Sequence, residues 1–349
     1  MSLERPARIL HIGLNTAGDP VGLSRGERAL GFESDVLVFE EHPFGYPADI
    51  DLAINSVGRA RSMYRRWGAV RAALAYDVIH FEYGYTLIHR LKYRGGGLRT
   101  EIPLLKRMGK TILASFMGDD ARPPSANPWG LNDPAYLEFQ RLVQPARREL
   151  MLRNADRTFF VNPDLRRWLP GAGFRPYASV DPLAIDPVPL PGRDPVVVVH
   201  APSHRGIKGT EDVIAAVDSL RAEGVPVELD LVEGLSHGEA LARYGRADIA
   251  VDQLNIGWYG VFSVEMMALA RPVLCRIIED EPGDNPFGSE LPIIRTRTET
   301  LREDLRRLCA DPALRQRVGA ASRCFVEAHH DPRVVARNVL DGLVPMPST

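Results

Sequence analysis

Two cations, one carboxylate and a helix start are the features of this 349-residue sequence best suited to chemistry. Arg205 and Lys208 lie three apart, directly after the apolar run from Val196 to His200. Fixed cations at a strand-to-helix turn suit an anion. They suit best a leaving group that gains negative charge as a bond breaks, because they then stabilise the transition state more than the ground state. In the stretch from Gly257 to Val273 a glycine-containing turn runs into a helix that starts near Val261 and ends before Pro272. Val261, Val264 and Ala268 give that helix an apolar stripe. A helix start presents unpaired N–H groups and the positive end of a dipole, so Gly260, Val261 and Phe262 can hold an anion through their backbone. Glu265, early on the same helix, can accept from a pair of sugar hydroxyls. Together these residues suit a seat for a phosphorylated sugar. The bland alternative is an ordinary helix packed on a parallel sheet.

The elements that must position these groups read as two α/β halves. Arg8 to Leu14 is a continuously apolar strand of the buried parallel kind. The loop Asn15 to Gly22 follows, carrying Gly18 and Gly22, then a helix at 23–30 and a strand at 34–39, which makes a βαβ opening. A helix at 57–75 leads to the strand Asp77 to Phe81, which ends in Glu82-Tyr-Gly-Tyr85. A helix at 98–108 leads to the strand 110–116 and then Met117-Gly-Asp-Asp120-Ala-Arg122. Polar residues at carboxyl strand ends are where open α/β sheets place ligands, so Glu82 and Asp120 are candidate catalytic carboxylates. Asp119 and Asp120 as a metal pair are disfavoured, since adjacent side chains diverge on most backbones. A helix over 134–153 and a strand over 155–161 follow. Prolines crowd 181–195, a stretch that can be neither regular helix nor central strand and reads as a linker. Beyond it come strands at 195–200, 227–231, 247–252 and 273–277, and helices at 211–223, 237–244, 298–309, 312–327 and 332–343. The loops at 200–210, 232–237 and 252–262 then meet at one set of strand ends. The expected division is 1–180, a linker at 181–195, 196–328, and a terminal segment at 329–349.

The stretch around Glu265 resembles the nucleotide-sugar motif of retaining glycosyltransferases with the GT-B fold, family four in the usual classification. Glu265, Gly260, Tyr259 and Arg271-Pro-Val273 match its pattern, while Gly257 stands where the family has a first Glu that contacts the transferred sugar. Arg205 and Lys208 match the family's cationic pair. Gly118, Asp120 and Arg122 match a second motif, in which Met117 and Asp119 depart, and Glu82 stands where the family often has His. The resemblance spans most of the chain and is closest from residue 196 to 274. It implies two Rossmann-like domains, the first on the acceptor side and the second on the donor side, with the last helix crossing back to the first. It implies transfer from a nucleoside-diphosphate sugar with retained anomeric configuration and no bound metal. Arg205 and Lys208 would hold the diphosphate, Val261 and Phe262 would help through their amides, and Glu265 would take the ribose hydroxyls. Tyr259 would pack on the donor, and Gly18 and Gly22 would shape the phosphate or acceptor side. The missing first Glu leaves two other readings open: a sugar-nucleotide binder without transfer, and a sugar-nucleotide epimerase. A phosphorylase would need a cofactor-bearing Lys, for which no motif is present.

Composition sets the outer limits. With 45% hydrophobic and 25% charged residues the chain reads as a globular protein. Cys275, Cys309 and Cys324 are too few and scattered for a disulfide frame or metal cluster. The short, polar-flanked N-terminus and the lack of a long apolar run lead to a cytoplasmic expectation. A net charge of −2 argues against a nucleic-acid binder. It conceals a basic surface: Arg59, Arg61, Arg65, Arg66 and Arg71 without an acid, and Arg90, Lys92, Arg94, Arg99, Lys106, Arg107 and Lys110 against Glu101. With Met63 and Trp67 among its charges, the segment Arg59 to Arg71 is a candidate contact with an anionic membrane face.

Overall fold

The computed structural model of the chain describes residues 5–40, 45–88, 90–91, 98–126, 137–138, 141, 143–187, 189–190, 194–281 and 283–347. Lys92 and Arg94 of the second basic run, Pro191, and most of 134–142 from the expected long helix lie outside these residues. The chain divides into one unit of Met1–Ser179 with Pro332–Thr349 and another of Val180–Asp331.

The first unit is built on a parallel sheet of β1 (Arg8–Gly13), β2 (Glu33–Val38), β3 (Ile50–Asp51), β4 (Val78–Glu82), β7 (Thr111–Phe116), β8 (Arg157–Phe160) and β9 (Gly173–Phe174), in the order β3-β2-β1-β4-β7-β8-β9. A small antiparallel pair, β5 (Arg90–Leu91) with β6 (Leu98–Arg99), stands apart. Alternation along the strands sends Leu10, Ile12, Ile79, Phe81 and Ile112 to one face, where Val70 of α2 (Arg59–Ala73) and Leu105 of α3 (Ile102–Arg107) cover them. Ile9, Val78 and Leu113 point the other way, onto Leu23 of α1 (Asp19–Ala29) and Val335 and Val339. Helix α4 (Gln144–Asn154) precedes β8. Burial on both faces is why these strands read as unbroken apolar runs.

The second unit holds a five-stranded parallel sheet: β10 (Val196–His200), β11 (Val227–Leu231), β12 (Ile249–Val251), β13 (Val273–Cys275) and β14 (Ile294–Arg295), ordered β11-β10-β12-β13-β14. Its helices are α5 (Arg205–Lys208), α6 (Thr210–Ala222), α7 (His237–Tyr244), α8 (Val261–Ala268), α9 (Thr298–Ala310) and α10 (Pro312–His329). The proline-rich stretch joins this unit: Arg323 of α10 donates to the carbonyls of Pro182 and Ile185, 2.7 Å each. The last helix, α11 (Pro332–Leu340), packs on α1 in the first unit.

Candidate functional site

In the second unit the carboxyl ends of β10, β11 and β12 lie side by side, so the loops after them are neighbours. His200, at the end of β10, fixes two of them. Its Nδ1–H donates to the Val251 carbonyl at 2.8 Å, and its Nε2 accepts from the Thr210 hydroxyl at 2.9 Å. Burial keeps this imidazole below its ordinary pKa, hence neutral, as that pattern requires. Lys208, the last residue of α5, turns inward and its Nζ lies 2.6 Å from Asp252 Oδ1. The other oxygen of Asp252 accepts the Gly260 N–H at 2.8 Å and the Ser263 hydroxyl at 2.6 Å. One buried carboxylate thus joins the cation to the first turn of α8. Burial works against the charged form of Asp252, but the Lys208 ammonium and these donors hold its pKa below the ordinary aspartate value. Gly260, the N-cap of α8, has no side chain to occupy the first turn, and the space where its Cβ would stand is 3.4 Å from Lys208 Nζ.

Glu265 sits one turn further along α8, 6% exposed, with Oε1 2.5 Å from Nε2 of His237. His237 opens α7, whose start is fixed by a capping box between Ser236 and Glu239. The Glu265 hydrogen bond raises the pKa of His237 against the effect of its partial burial. Arg205 is committed elsewhere. Its Nε and Nη2 meet the two oxygens of Glu233 at 2.9 and 3.0 Å, and its Nη1 meets Glu211 at 2.7 Å. The structure therefore brings Lys208 to the start of α8 and pairs Arg205 with two exposed acids. Asp252, Ser263 and His237 were missed in the sequence. The signal for Asp252 was an acid closing an apolar strand; a His one residue past a cap carries no signal.

Tyr259 corrects the expectation that it packs on a ligand. It is fully buried, its hydroxyl 2.9 Å from His330 Nε2 and its ring 4.7 Å from that of Trp258. Phe262 is buried with its ring edge-on to Tyr244, and only its amide is placed at the helix start.

In the first unit the candidate carboxylates turn inward. Both oxygens of Asp120 accept from the Met117 amide and one from Gly118 at 2.7 Å, so this acid closes the turn after β7. Burial lifts its pKa to about 7, against those hydrogen bonds. Arg122 forks onto Asp164 at 2.6 and 2.9 Å. Glu82 is 1% exposed and its Oε1 lies 2.9 Å from Nδ1 of His11, whose Nε2 lies 2.9 Å from Glu27. Burial would strip the proton from His11, but Glu27 and Glu82 on either side raise its pKa to about 10. His80 stays neutral, held well below its ordinary value by burial and then by His11 and Arg175. Arg175 completes the layer on Asp19 at 2.6 Å. Ligand atoms of His11, His80 and Glu82 lie within 4.8 Å of one another. The two carboxylates at hydrogen-bond distance from both nitrogens of His11 suit a doubly protonated imidazole. Glu82 and Asp120 are thus both buried and held by the protein's own donors.

The two loop glycines also have structural work. Helix α1 starts at Asp19, four residues earlier than its apolar pattern begins, so Gly22 lies inside it. A Cβ there would stand 1.9 Å from the Ala178 carbonyl oxygen. Gly18 caps the helix with φ of 71°, a left-handed conformation that favours glycine.

Known structures share this architecture. A sucrose-phosphate synthase from Thermosynechococcus elongatus superposes with a TM-score of 0.63 at 18% identity, over 95% of this chain and 97% of that one. A glycosyltransferase from Rickettsia africae gives 0.59 at 12%, over 97% and 100%. A UDP-N-acetylglucosamine 2-epimerase gives 0.53 at 12%, over 99% and 100%. The chain has the GT-B fold. No protein-family model and no curated protein sequence matches it.

Within this GT-B chain, the glycine at position 257 has a physical account. A Cβ on Gly257 would stand 2.4 Å from Cδ1 and 2.7 Å from Cβ of Ile278, whose backbone N–H donates to the Gly257 carbonyl at 3.0 Å. Ile278 occupies the space that a side chain at 257 would need.

Proposed function

We propose that this GT-B chain is a glycosyltransferase that moves a sugar from a nucleoside-diphosphate donor to an acceptor with retention of anomeric configuration. The observation that carries the reading is Lys208 set beside the uncapped first turn of α8, with Glu265 one turn on. A diphosphate at the amide groups of Val261 and Phe262 would meet the helix dipole and the ammonium together. Glu265 would take the ribose hydroxyls. Arg205, which is solvent-facing, would exchange a carboxylate for a phosphate oxygen. As the bond from the anomeric carbon to the phosphate oxygen breaks, the acceptor oxygen bonds that carbon on the same face. The departing phosphate takes the acceptor's proton. Lys208 and the helix start stabilise the charge that builds on it, which gives a metal-independent route for the leaving group.

Gly257 favours a second reading, donor binding without transfer, because no side chain stands where the resembled family contacts the sugar. One experiment separates these readings. The chain is incubated with a panel of UDP-, GDP- and ADP-sugars and mixed acceptors, with release of free nucleoside diphosphate followed alongside thermal shift. Turnover that survives EDTA supports the transferase. Stabilisation without release supports the binder, and a sugar isomerised while still on its nucleotide supports an epimerase. No stabilisation by any nucleotide overturns all three.

A further inference from the structure

The outer surface of α2 has no role in the proposed donor site, yet its chemistry is distinctive. The helix carries five arginines and no acid over Arg59–Ala73. Two arginines are spent on the protein itself. Arg65 donates to the carbonyls of Leu52 and Ala53 at 2.8 Å each, and Arg66 donates to Leu87 at 2.7 Å with its guanidinium 5.0 Å above the Phe39 ring. Among the described residues, Arg59, Arg61 and Arg71 have no partner. Tyr64 is 79% exposed, Trp67 52% and Met63 37%. Helical spacing puts Ala60, Tyr64, Trp67 and Arg71 on one outward face. Ala69, Val70 and Ala73 bury the opposite side. Helix α3 covers the same face of the sheet through the same core and repeats the pattern: Leu104 and Met108 are 43% and 56% exposed, with Arg107 between them. Exposed aromatic and apolar groups flanked by unpaired arginines are not what a solvated helix face needs.

We infer that α2, with the exposed edge of α3, is a docking surface for an anionic lipid bilayer. Tyr64 and Trp67 have an apolar body and a polar tip, which suits the boundary between headgroups and acyl chains. Arg59, Arg61 and Arg71 stand beside them to meet anionic headgroups. The occupant follows from charge complementarity: a broad negative surface matches three spaced arginines, and an acyl boundary matches the aromatic pair. No helix of the described residues is long and apolar enough to cross a membrane, so the contact is peripheral.

The test is sedimentation of the full chain with vesicles of phosphatidylcholine alone and of phosphatidylcholine mixed with phosphatidylserine. Binding is expected to the mixed vesicles only and to weaken as salt rises. Arg61→Ser with Arg71→Ser should weaken it about twenty-five-fold, at about fivefold per arginine near the surface. Tyr64→Ser with Trp67→Ser should abolish the salt-resistant part. All four positions are exposed, so an unchanged melting temperature confirms that the variants fold. Equal binding to both vesicle types, no binding to either, or binding that survives both variants each overturns the inference. So does concentration-dependent self-association through this face in place of vesicle binding. Nucleotide binding in solution is measured in parallel, so failure of the donor reading is seen separately.

Discussion

Lys208→Met tests whether the ion pair beneath α8 holds the second unit together. The side chains of Lys208 and Asp252 are 11% and 0% exposed and 2.6 Å apart. Removing one partner of a buried pair costs about 3–5 kcal/mol, because the other charge is left without compensation. Asp252 would still accept from Gly260 and Ser263, each worth about 1 kcal/mol. The loss should therefore fall near ~3 kcal/mol. For a unit of this size that is a drop of about 6–12 °C in its melting transition. Adding Asp252→Asn removes the stranded charge, so the loss in the double variant should fall short of the sum of the two single losses by at least about 1 kcal/mol. The pH dependence has a fixed sign. Asp252 in the wild type has a depressed pKa, so its contribution is present above the unfolded aspartate value and is lost as pH falls through the folded one. In Lys208→Met burial acts on this carboxyl without the ammonium to oppose it. The gap between wild type and variant should be widest at neutral pH and narrow on acidification. Thermal and urea unfolding of the three variants would show this. A Lys208→Met loss under about 1 kcal/mol at neutral pH, with additive singles, would refute the reasoning.

Four further outcomes follow from the geometry. Raising pH from the ordinary histidine range towards 10 should destabilise the first unit by roughly 3–5 kcal/mol, because His11 is held protonated when folded, and His11→Gln should flatten that profile in urea titrations. Glu265→Ala should weaken nucleoside-diphosphate affinity about tenfold to a hundredfold by calorimetry, the scale of losing one or two hydrogen bonds to a charged acceptor. Glu233→Gln removes one of the two carboxylates on Arg205 and should tighten the same ligand a few-fold, an effect that Arg205→Gln should erase. Gly257→Glu should cost about 1–3 kcal/mol from overpacking on Ile278, and Ile278→Ala in the same chain should relieve part of that loss in melting experiments.

Strands were readable because burial on both faces leaves unbroken apolar runs, as in Val196 to His200 and Arg8 to Gly13. Helix ends were less so. Helix α1 starts at Asp19, four residues before its apolar stripe begins, because its first turn packs against Ala178 rather than on the sheet. The meeting of the loops after β10 and β12 was legible from strand order, and with it the approach of Lys208 to the start of α8. What each polar side chain does was not legible. Asp120 and Glu82 sit at strand ends where a ligand would be expected, and both instead satisfy buried donors. Tyr259 lies inside the motif but points into the core, since its direction depends on His330, which is distant in sequence. A carboxylate at a strand end looks the same in sequence whether it binds a substrate or closes a turn.

The two cations differ in what ligand binding would ask of them. Arg205 holds Glu233 and Glu211 at an exposed position, where water screens the pairs and a phosphate oxygen can replace a carboxylate at little cost. Lys208 cannot release Asp252 so cheaply, because that acid is fully buried and would be left charged. A diphosphate would therefore join Lys208 with the Asp252 contact kept, while displacing partners from Arg205. On the proposed reading Lys208 and the start of α8 are preorganised by Asp252, and Arg205 is recruited on binding. Asp252 offsets part of the Lys208 charge in advance, so Arg205 would share with Lys208 and the amides of α8 the electrostatic gain on a departing diphosphate. Substituting Arg205 should then reduce turnover more than it reduces stability, with the reverse order at Lys208.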